Sequence, residues 1–288
     1  MKKYLFLIPV YNDWQSLNLL LKNINQELGV KLRSSDILIV NDGSTIETNL
    51  KRNNYENINK IKILNLKINL GSQKSIAIGL KHLEKNEKDC IITILDSDGE
   101  DDPTKINEML DQAEKNKDLV ITSNRTNRKE NPLFKVLYLL HKITTFLFTG
   151  YWISFGNFSS FHSNNLKDLL KNNDTWLAYS SAVAKNCKIR RLYAKRLKRY
   201  FGKSKVNFVS LALHSLRVLS VLRTNVILFS IFYCLVLFVL FKLIGSFIFL
   251  FSIFFILFFN FIIFLVKIFN GSKSLDEWSQ FIKNELSI

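Results

Sequence analysis

Short apolar runs alternate with amphipathic stretches from the N-terminus to about Ser123, the pattern of a parallel sheet with crossover helices. The runs at 4–10, 37–41, 61–66, 91–95 and 119–122 are rich in Ile, Val and Leu, and they predict five strands. Helical spacing fills the gaps at 14–28, 73–83 and 104–115, with Asp13 and Ser72 standing at N-cap positions and Pro103 at a helix start. The first run follows Met1, Lys2 and Lys3, but Pro9, Asn12 and Asp13 interrupt it and no small-residue cleavage site follows. A strand is therefore expected there, and not a signal peptide.

Beyond Asn124 the pattern changes. An apolar helical run at 133–148 is followed by a polar and aromatic segment at 151–162, and then by 185–205, where ten Lys or Arg occur with no acidic residue. Residues 206–223 mix apolar positions with His214, Arg217 and Arg223, as in an amphipathic helix lying among lipid headgroups. The segments 226–241 and 247–266 are almost wholly apolar and are separated only by 242–246. A spanning helix needs roughly 20 residues, with about 17 as the lower limit, so these two predict a transmembrane hairpin. Basic residues gather before Val226 and recur at Lys267 and Lys273, which places both termini in the cytoplasm and makes a multi-pass protein of the inner membrane. The organisation expected is a domain over 1–205, a juxtamembrane segment over 206–224, two membrane helices over 225–268 and a tail over 269–288 with an amphipathic helix.

Composition strengthens the membrane reading: of 288 residues 48% are hydrophobic, 24 are Phe, and the net charge is +16. Such a charge favours anionic partners. Because the basic segment adjoins membrane-like helices and no nucleic-acid module is recognisable, phosphates at a lipid bilayer are the expected partner and nucleic acid is not. Cys90, Cys187 and Cys234 are far apart and lack metal-ligand spacing, so neither disulfides nor a zinc site is indicated. His82, His141, His162 and His214 are each isolated in sequence, and none is expected to be a catalytic base.

Ligands of such sheets gather beyond the carboxyl ends of the strands, which groups the residues at 9–12, 41–44 and 96–102 around one crevice. Five acidic residues fall within the seven positions 96–102, and a hard cation relieves such crowding. Asp101 and Asp102, just before Pro103, suit a helix start. Asp42 can accept hydrogen bonds from a base or ribose, and Gly43 allows a sharp turn beside a ligand.

Taken together, Ile8-Pro9-Val10-Tyr11-Asn12, Val40-Asn41-Asp42-Gly43-Ser44 and Asp96-Ser97-Asp98 resemble the family 2 glycosyltransferases of the GT-A fold. Asn69-Leu70-Gly71-Ser72-Gln73, Asp96-Ser97-Asp98-Gly99-Glu100 and the stretch from Arg199 through Gly202 to Ser204 and Lys205 are similar to the polyprenyl-phosphate branch, that of the dolichyl-phosphate mannose synthases. The resemblance implies an α/β nucleotide-sugar-binding domain and an inverting transfer from a UDP- or GDP-sugar to a polyprenyl phosphate. It implies Mg²⁺ or Mn²⁺ on Asp96, Asp98 and Glu100, and donor contacts from Pro9, Tyr11, Asn12, Asp42, Gln73 and Asp96. Arg125, Arg199, Ser204 and Lys205 would meet phosphate, with Asp96, Asp98, Arg125 and Arg199 counted as catalytic. Association into a homo-oligomer stays open. Two departures stand out: Glu100 replaces a glutamine, and no arginine follows Phe158 where the branch has Ser-Gly-Phe-Arg. A family 2 enzyme extending a lipid-linked or surface glycan is the alternative, and a noncatalytic membrane scaffold the more distant one. A processive synthase is disfavoured, since no tryptophan stands in a Gln-x-x-Arg-Trp setting.

Overall fold

The computed structural model describes residues 3–48, 50–51, 55–126, 132–202 and 208–288. The chain forms two compact units, one made of Met1–Lys129, Ser154–Lys205 and Lys273–Ile288, the other of Glu130–Ile153 and Val206–Ser272.

The first unit is built on one sheet of eight strands: β1 (Lys3–Val10), β2 (Ser35–Asn41), β3 (Ile58–Leu66), β4 (Cys90–Ile94), β5 (Leu119–Thr126), β6 (Phe155–His162), β7 (Lys188–Lys195) and β8 (Ile282–Ser287). Their order across the sheet is β7-β5-β6-β4-β1-β2-β3-β8. All five expected strands form, but the sheet is mixed and not parallel throughout. Strand β6 runs antiparallel between β4 and β5, and β8 runs antiparallel along β3. The segment 151–162 concealed β6 because its inward positions are Asn157, Ser159 and Ser160 as well as Phe155, Phe158 and Phe161.

Helices α1 (Trp14–Val30), α2 (Ser72–Asn86), α3 (Ile106–Lys115), the single turn α5 (Leu166–Leu169) and α6 (Tyr179–Asn186) cover this sheet. Alternation along the strands decides the layers. Phe6, Ile8, Ile37 and Ile39 point to one face and pack with Leu17, Leu20, Leu21, Ile24 and Leu28 of α1 and with Met109 and Leu110 of α3. Leu7 and Val40 point to the other, where α2 lies so close that a Cβ on Gly79 would stand 2.4 Å from Leu7 Cδ1. Neither expected N-cap acts as one: Asp13 makes no capping bond, and α2 begins at Ser72 after Gly71, whose φ is 89°. Asp102 does cap the turn Pro103–Lys105, accepting from the N–H of Thr104.

The C-terminal tail differs from its expected helix. Trp278–Phe281 forms a 3-10 turn and β8 then extends the sheet, Ile288 and Ile61 exchanging backbone hydrogen bonds of 2.9 and 3.3 Å. Side chains anchor it: Trp278 meets the His82 ring edge-on, Phe281 packs on Trp176, and Lys62 pairs with Glu285 at 3.1 Å.

The second unit contains α4 (Pro132–Thr149), α7 (Phe208–Val221), α8 (Arg223–Val239) and α9 (Phe241–Phe269). Among the described residues one helix, Gly245–Phe269, is long and apolar enough to cross a membrane; α7 and α8 reach that standard only together, bent by 86°. Two polar pairs lie within the unit, Asn260 donating to Ser230 Oγ at 2.8 Å and Ser220 to the Ile263 carbonyl at 3.3 Å. Most other large side chains on α8 and α9, such as Phe238 and Phe247, are exposed, as on helices that face lipid.

Candidate active site

The order β4-β1-β2 places the ends of these three strands side by side, so the loops carrying Asp96, Asn12 and Asp42 line one edge of the sheet. Asn12, at φ 52°, ties the first loop to the second: its N–H donates to Ser44 Oγ at 2.9 Å and its Oδ1 accepts from the N–H groups of Thr45 and Ile46 at 2.9 and 3.1 Å. Pro9 lies within β1 opposite Val40, and Tyr11 follows the strand, half-buried.

Asp42 is buried, and both of its oxygens are engaged by backbone, Oδ1 by Leu70 N–H at 2.8 Å and Oδ2 by Gly71 N–H at 2.9 Å. Burial raises its pKa against these stabilising bonds. Its visible work is to shape the turn into α2. The close approach explains Gly43 too, since a Cβ there would sit 2.6 Å from the Ile68 carbonyl carbon.

The acidic loop after β4 is closed by a basic segment that follows β7. Leu197 N–H donates to the Glu100 carbonyl at 2.9 Å and Tyr200 N–H to the Asp98 carbonyl at 3.0 Å. Arg196 pairs with the Glu100 carboxylate through Nε at 3.1 Å and through Nη2. Arg199 donates to Asp98 Oδ2 at 3.1 Å, to Asp13, and to the Phe201 carbonyl at 2.9 Å. The Tyr200 ring lies against Gly99, which has φ 80°, and its hydroxyl accepts from Asn23 at 2.6 Å.

Asp98 Oδ1 also accepts the Glu100 N–H at 3.0 Å. Desolvation lifts the Asp98 pKa, with the Glu100 and Asp101 charges adding to it and Arg199 opposing. Asp96 is held differently, its Oδ1 accepting from Asn157 Nδ2 at 2.8 Å. Gln73, expected at the donor, donates to Asn157 Oδ1 at 3.1 Å and accepts Tyr179 N–H at 2.7 Å.

The three expected metal ligands are neighbours on one loop but do not converge. Among the described residues no group of three His, Cys, Asp or Glu is arranged to hold a metal ion. The reason is visible in the pairing, because Arg196 draws off Glu100 and Arg199 takes Asp98. Arg125 lies in β5 with its backbone opposite Ala194, its side chain being outside the described residues. Ser204 and Lys205 are also outside them. Asp13, expected only as a cap, joins the candidate site together with Asn157, Arg196 and Tyr200, none of which was expected there. Arg196 and Tyr200 both lie in the basic run.

An eight-stranded mixed sheet with acidic and amide side chains where β4, β1 and β2 end defines an α/β protein with a polar site at those strand ends. The profile described as "Glycosyl transferase family 2" matches residues 6–177, more than half of the chain, and the chain belongs to that family. An uncharacterized glycosyltransferase of Synechocystis sp. is 30% identical over 125 residues, a stretch covering 43% of this chain and 38% of that protein. Among solved structures, glucosyl-3-phosphoglycerate synthase from Mycobacterium tuberculosis, in complex with Mn²⁺, UDP and glucosyl-3-phosphoglycerate, is similar in fold, with a TM-score of 0.56 at 10% identity over 78% of this chain and 80% of that one. A mycobacterial protein follows with a TM-score of 0.53 at 11% identity, covering 78% and 74% of the two chains.

Proposed function

We propose that this family 2 glycosyltransferase takes a sugar from a UDP- or GDP-sugar, with a divalent metal, and passes it to a polyprenyl phosphate at the cytoplasmic face of a membrane. The observation that carries the reading is the closure of the acidic loop by Arg196 and Arg199, on a basic segment just ahead of the apolar helices. It joins carboxylates suited to a metal with guanidinium groups suited to phosphate.

Asp96, Asp98 and Glu100 offer only oxygens, the donor type a hard cation takes, and two of them are held by Arg196 and Arg199 in this arrangement. Mg²⁺ or Mn²⁺, when bound, neutralises charge on the departing nucleoside diphosphate. Asp98 and Glu100 would hold it, with Asp96 facing the donor or the metal. Support for a metal and a nucleotide also comes from the M. tuberculosis structure, which contains both. The acceptor phosphate oxygen bonds to the anomeric carbon as the bond from that carbon to the nucleoside diphosphate breaks. A phosphate is already anionic, so positioning and charge neutralisation carry the rate without a strong base.

The return of the tail to the sheet as β8 supports an even number of membrane crossings. A second acceptor class, a lipid-linked or surface glycan, is favoured by one feature: Ser159 stands after Phe158, bonded to the Asn157 carbonyl and to Tyr179, where the branch has an arginine.

The test is incubation of the purified full chain with undecaprenyl phosphate and a panel of UDP- and GDP-sugars, with glycolipid followed by mass spectrometry. A metal-dependent glycosyl phospholipid is the expected product. Donor hydrolysis without any such product would move the assignment to the glycan-extending class.

A further inference from the structure

The Asp96 carboxylate receives a hydrogen bond whose polarity can be traced back, through two amides, to a backbone N–H. That group is Tyr179 N–H, at the start of α6, which can only donate, and it points at Gln73 Oε1 from 2.7 Å. Gln73 must therefore present its NH₂ at the other end, and it does so to Asn157 Oδ1 at 3.1 Å. Asn157 is fixed in turn, its NH₂ aimed at Asp96 Oδ1 2.8 Å away. A backbone donor at one end and a carboxylate acceptor at the other fix both amides in the same sense.

The frame around this relay is rigid. Tyr179 is fully buried and its hydroxyl bonds to Ser159 Oγ at 2.6 Å; Asn157 is buried on β6, beside the strand whose end carries Asp96. Gln73 sits in the first turn of α2, whose position on the sheet Gly79 fixes.

We propose that Asn157 is a positioning residue for donor binding, holding the Asp96 carboxylate in one rotamer with a donated hydrogen bond that Gln73 orients. The proposal rests on the reading of Asp96 as the carboxylate that faces the donor or its metal. It gives Gln73 a role one step removed from the ligand. It also gives a reason for Asn157 in the segment that departs from the polyprenyl-phosphate branch.

The experiment uses the full chain in lipid nanodiscs and measures the affinity for UDP and for GDP, each with Mn²⁺, together with the melting temperature. Asn157→Ala is expected to weaken nucleotide binding by about tenfold, the usual effect of removing a partner that orients a ligating group. Gln73→Glu is the sharper variant. The new carboxylate still accepts Tyr179 N–H but cannot donate, so it competes with Asp96 for the Asn157 NH₂, and whichever way that amide lies its oxygen faces a carboxylate. The same loss is expected although no atom touching Asp96 has been replaced. The double variant should be no worse than the single ones. Should Asn157→Ala prove unstable at the assay temperature, Gln73→Glu carries the comparison.

Wild-type affinity in both single variants, or losses that simply add, would overturn the relay while leaving the transferase reading intact. A wild-type chain that binds neither nucleotide with Mn²⁺ overturns that reading and the proposal together.

Discussion

The guanidinium of Arg199 bridges Asp98 and Asp13, two carboxylates that leave the sheet from the adjacent strands β4 and β1. With Glu100 N–H on the remaining oxygen, Asp98 has no oxygen without a partner. A cation approaching Asp98 competes with these donors for its lone pairs, and Arg199, on a side chain, is the one able to move. Released, its guanidinium would be available to a phosphate. Arg199→Met is therefore expected to bind Mn²⁺ alone about tenfold more tightly than wild type, as fits removal of one charge-assisted competitor. Transfer should nevertheless fall by about a hundredfold or more, as on losing a group that stabilises developing charge. Mn²⁺ titration by electron paramagnetic resonance and a glycolipid assay check the two halves; weaker Mn²⁺ binding would refute the competition.

The same geometry makes Asp98→Ala the simplest test of the metal assignment. The variant should insert into membranes and melt near the wild-type temperature, because Arg199 keeps Asp13 and the Phe201 carbonyl as partners. Product formation should drop to background across the donor panel. Full activity would remove Asp98 from the metal site.

What the sequence made legible was governed by local patterns. Strands β1 to β5 and helices α1 to α3 could be read because buried Ile, Leu and Val recur at the period of each element. Both β6 and β8 escaped notice for the opposite reason: one carries Asn and Ser at inward positions, and the other, mostly exposed, takes its shape from pairing with β3. At the candidate site, Asp96 and Asp98 were singled out from their spacing. Asn157 lies 61 positions from Asp96 and Arg196 lies 96 from Glu100, so nothing local announced either partnership. Asp13 shows how a local rule can mislead, since its sequence position is that of a cap but its carboxylate belongs to Arg199.

Gly99 joins two requirements. Its φ of 80° is one that side chains rarely adopt, and a Cβ there would fall 2.2 Å from the Tyr200 ring. Gly99→Ala is expected to lose about 1–3 kcal/mol from backbone strain and crowding, and to push the segment bearing Arg196 and Arg199 off the acidic loop. Hydrogen exchange should report faster opening of Leu197 and Tyr200 amides, which donate to Glu100 and Asp98 in the wild type. Unchanged exchange at those two amides would count against the closure.

His82 gives the tail contact a pH dependence. Burial holds the imidazole below its ordinary pKa of 6.5, the nearby Lys62 and Lys85 adding to this and Glu285 and Glu87 opposing it. The unfolded chain accordingly takes up this proton at a higher pH than the folded one. Stability from neutral His82 is complete above pH 6.5 and is lost as the pH falls from there toward the lowered folded value. His82→Gln should therefore show a smaller drop in melting temperature between pH 7.5 and 5.5 than wild type does. Equal drops in the two proteins would show that His82 does not titrate in this window.

Were the chain to thread a bilayer, the pairing of β8 with β3 would constrain its path. Residues before α7 and after α9 lie in the same sheet, with Ile288 bonded to Ile61, so the stretch between them begins and ends on one side. If Gly245–Phe269 crosses, one further crossing must precede it. Helix α8, with 17 residues, spans about 25 Å, close to the thickness of a hydrocarbon core. The turn near Lys242 is then expected to face the opposite side from the sheet. In a variant lacking the three native cysteines, Lys242→Cys should react with a membrane-impermeant maleimide added to intact cells. Ser287→Cys should react only after lysis. Labelling of Ser287→Cys in intact cells would exclude the cytoplasmic placement of the sheet, and failure to label Lys242→Cys from outside would exclude the hairpin.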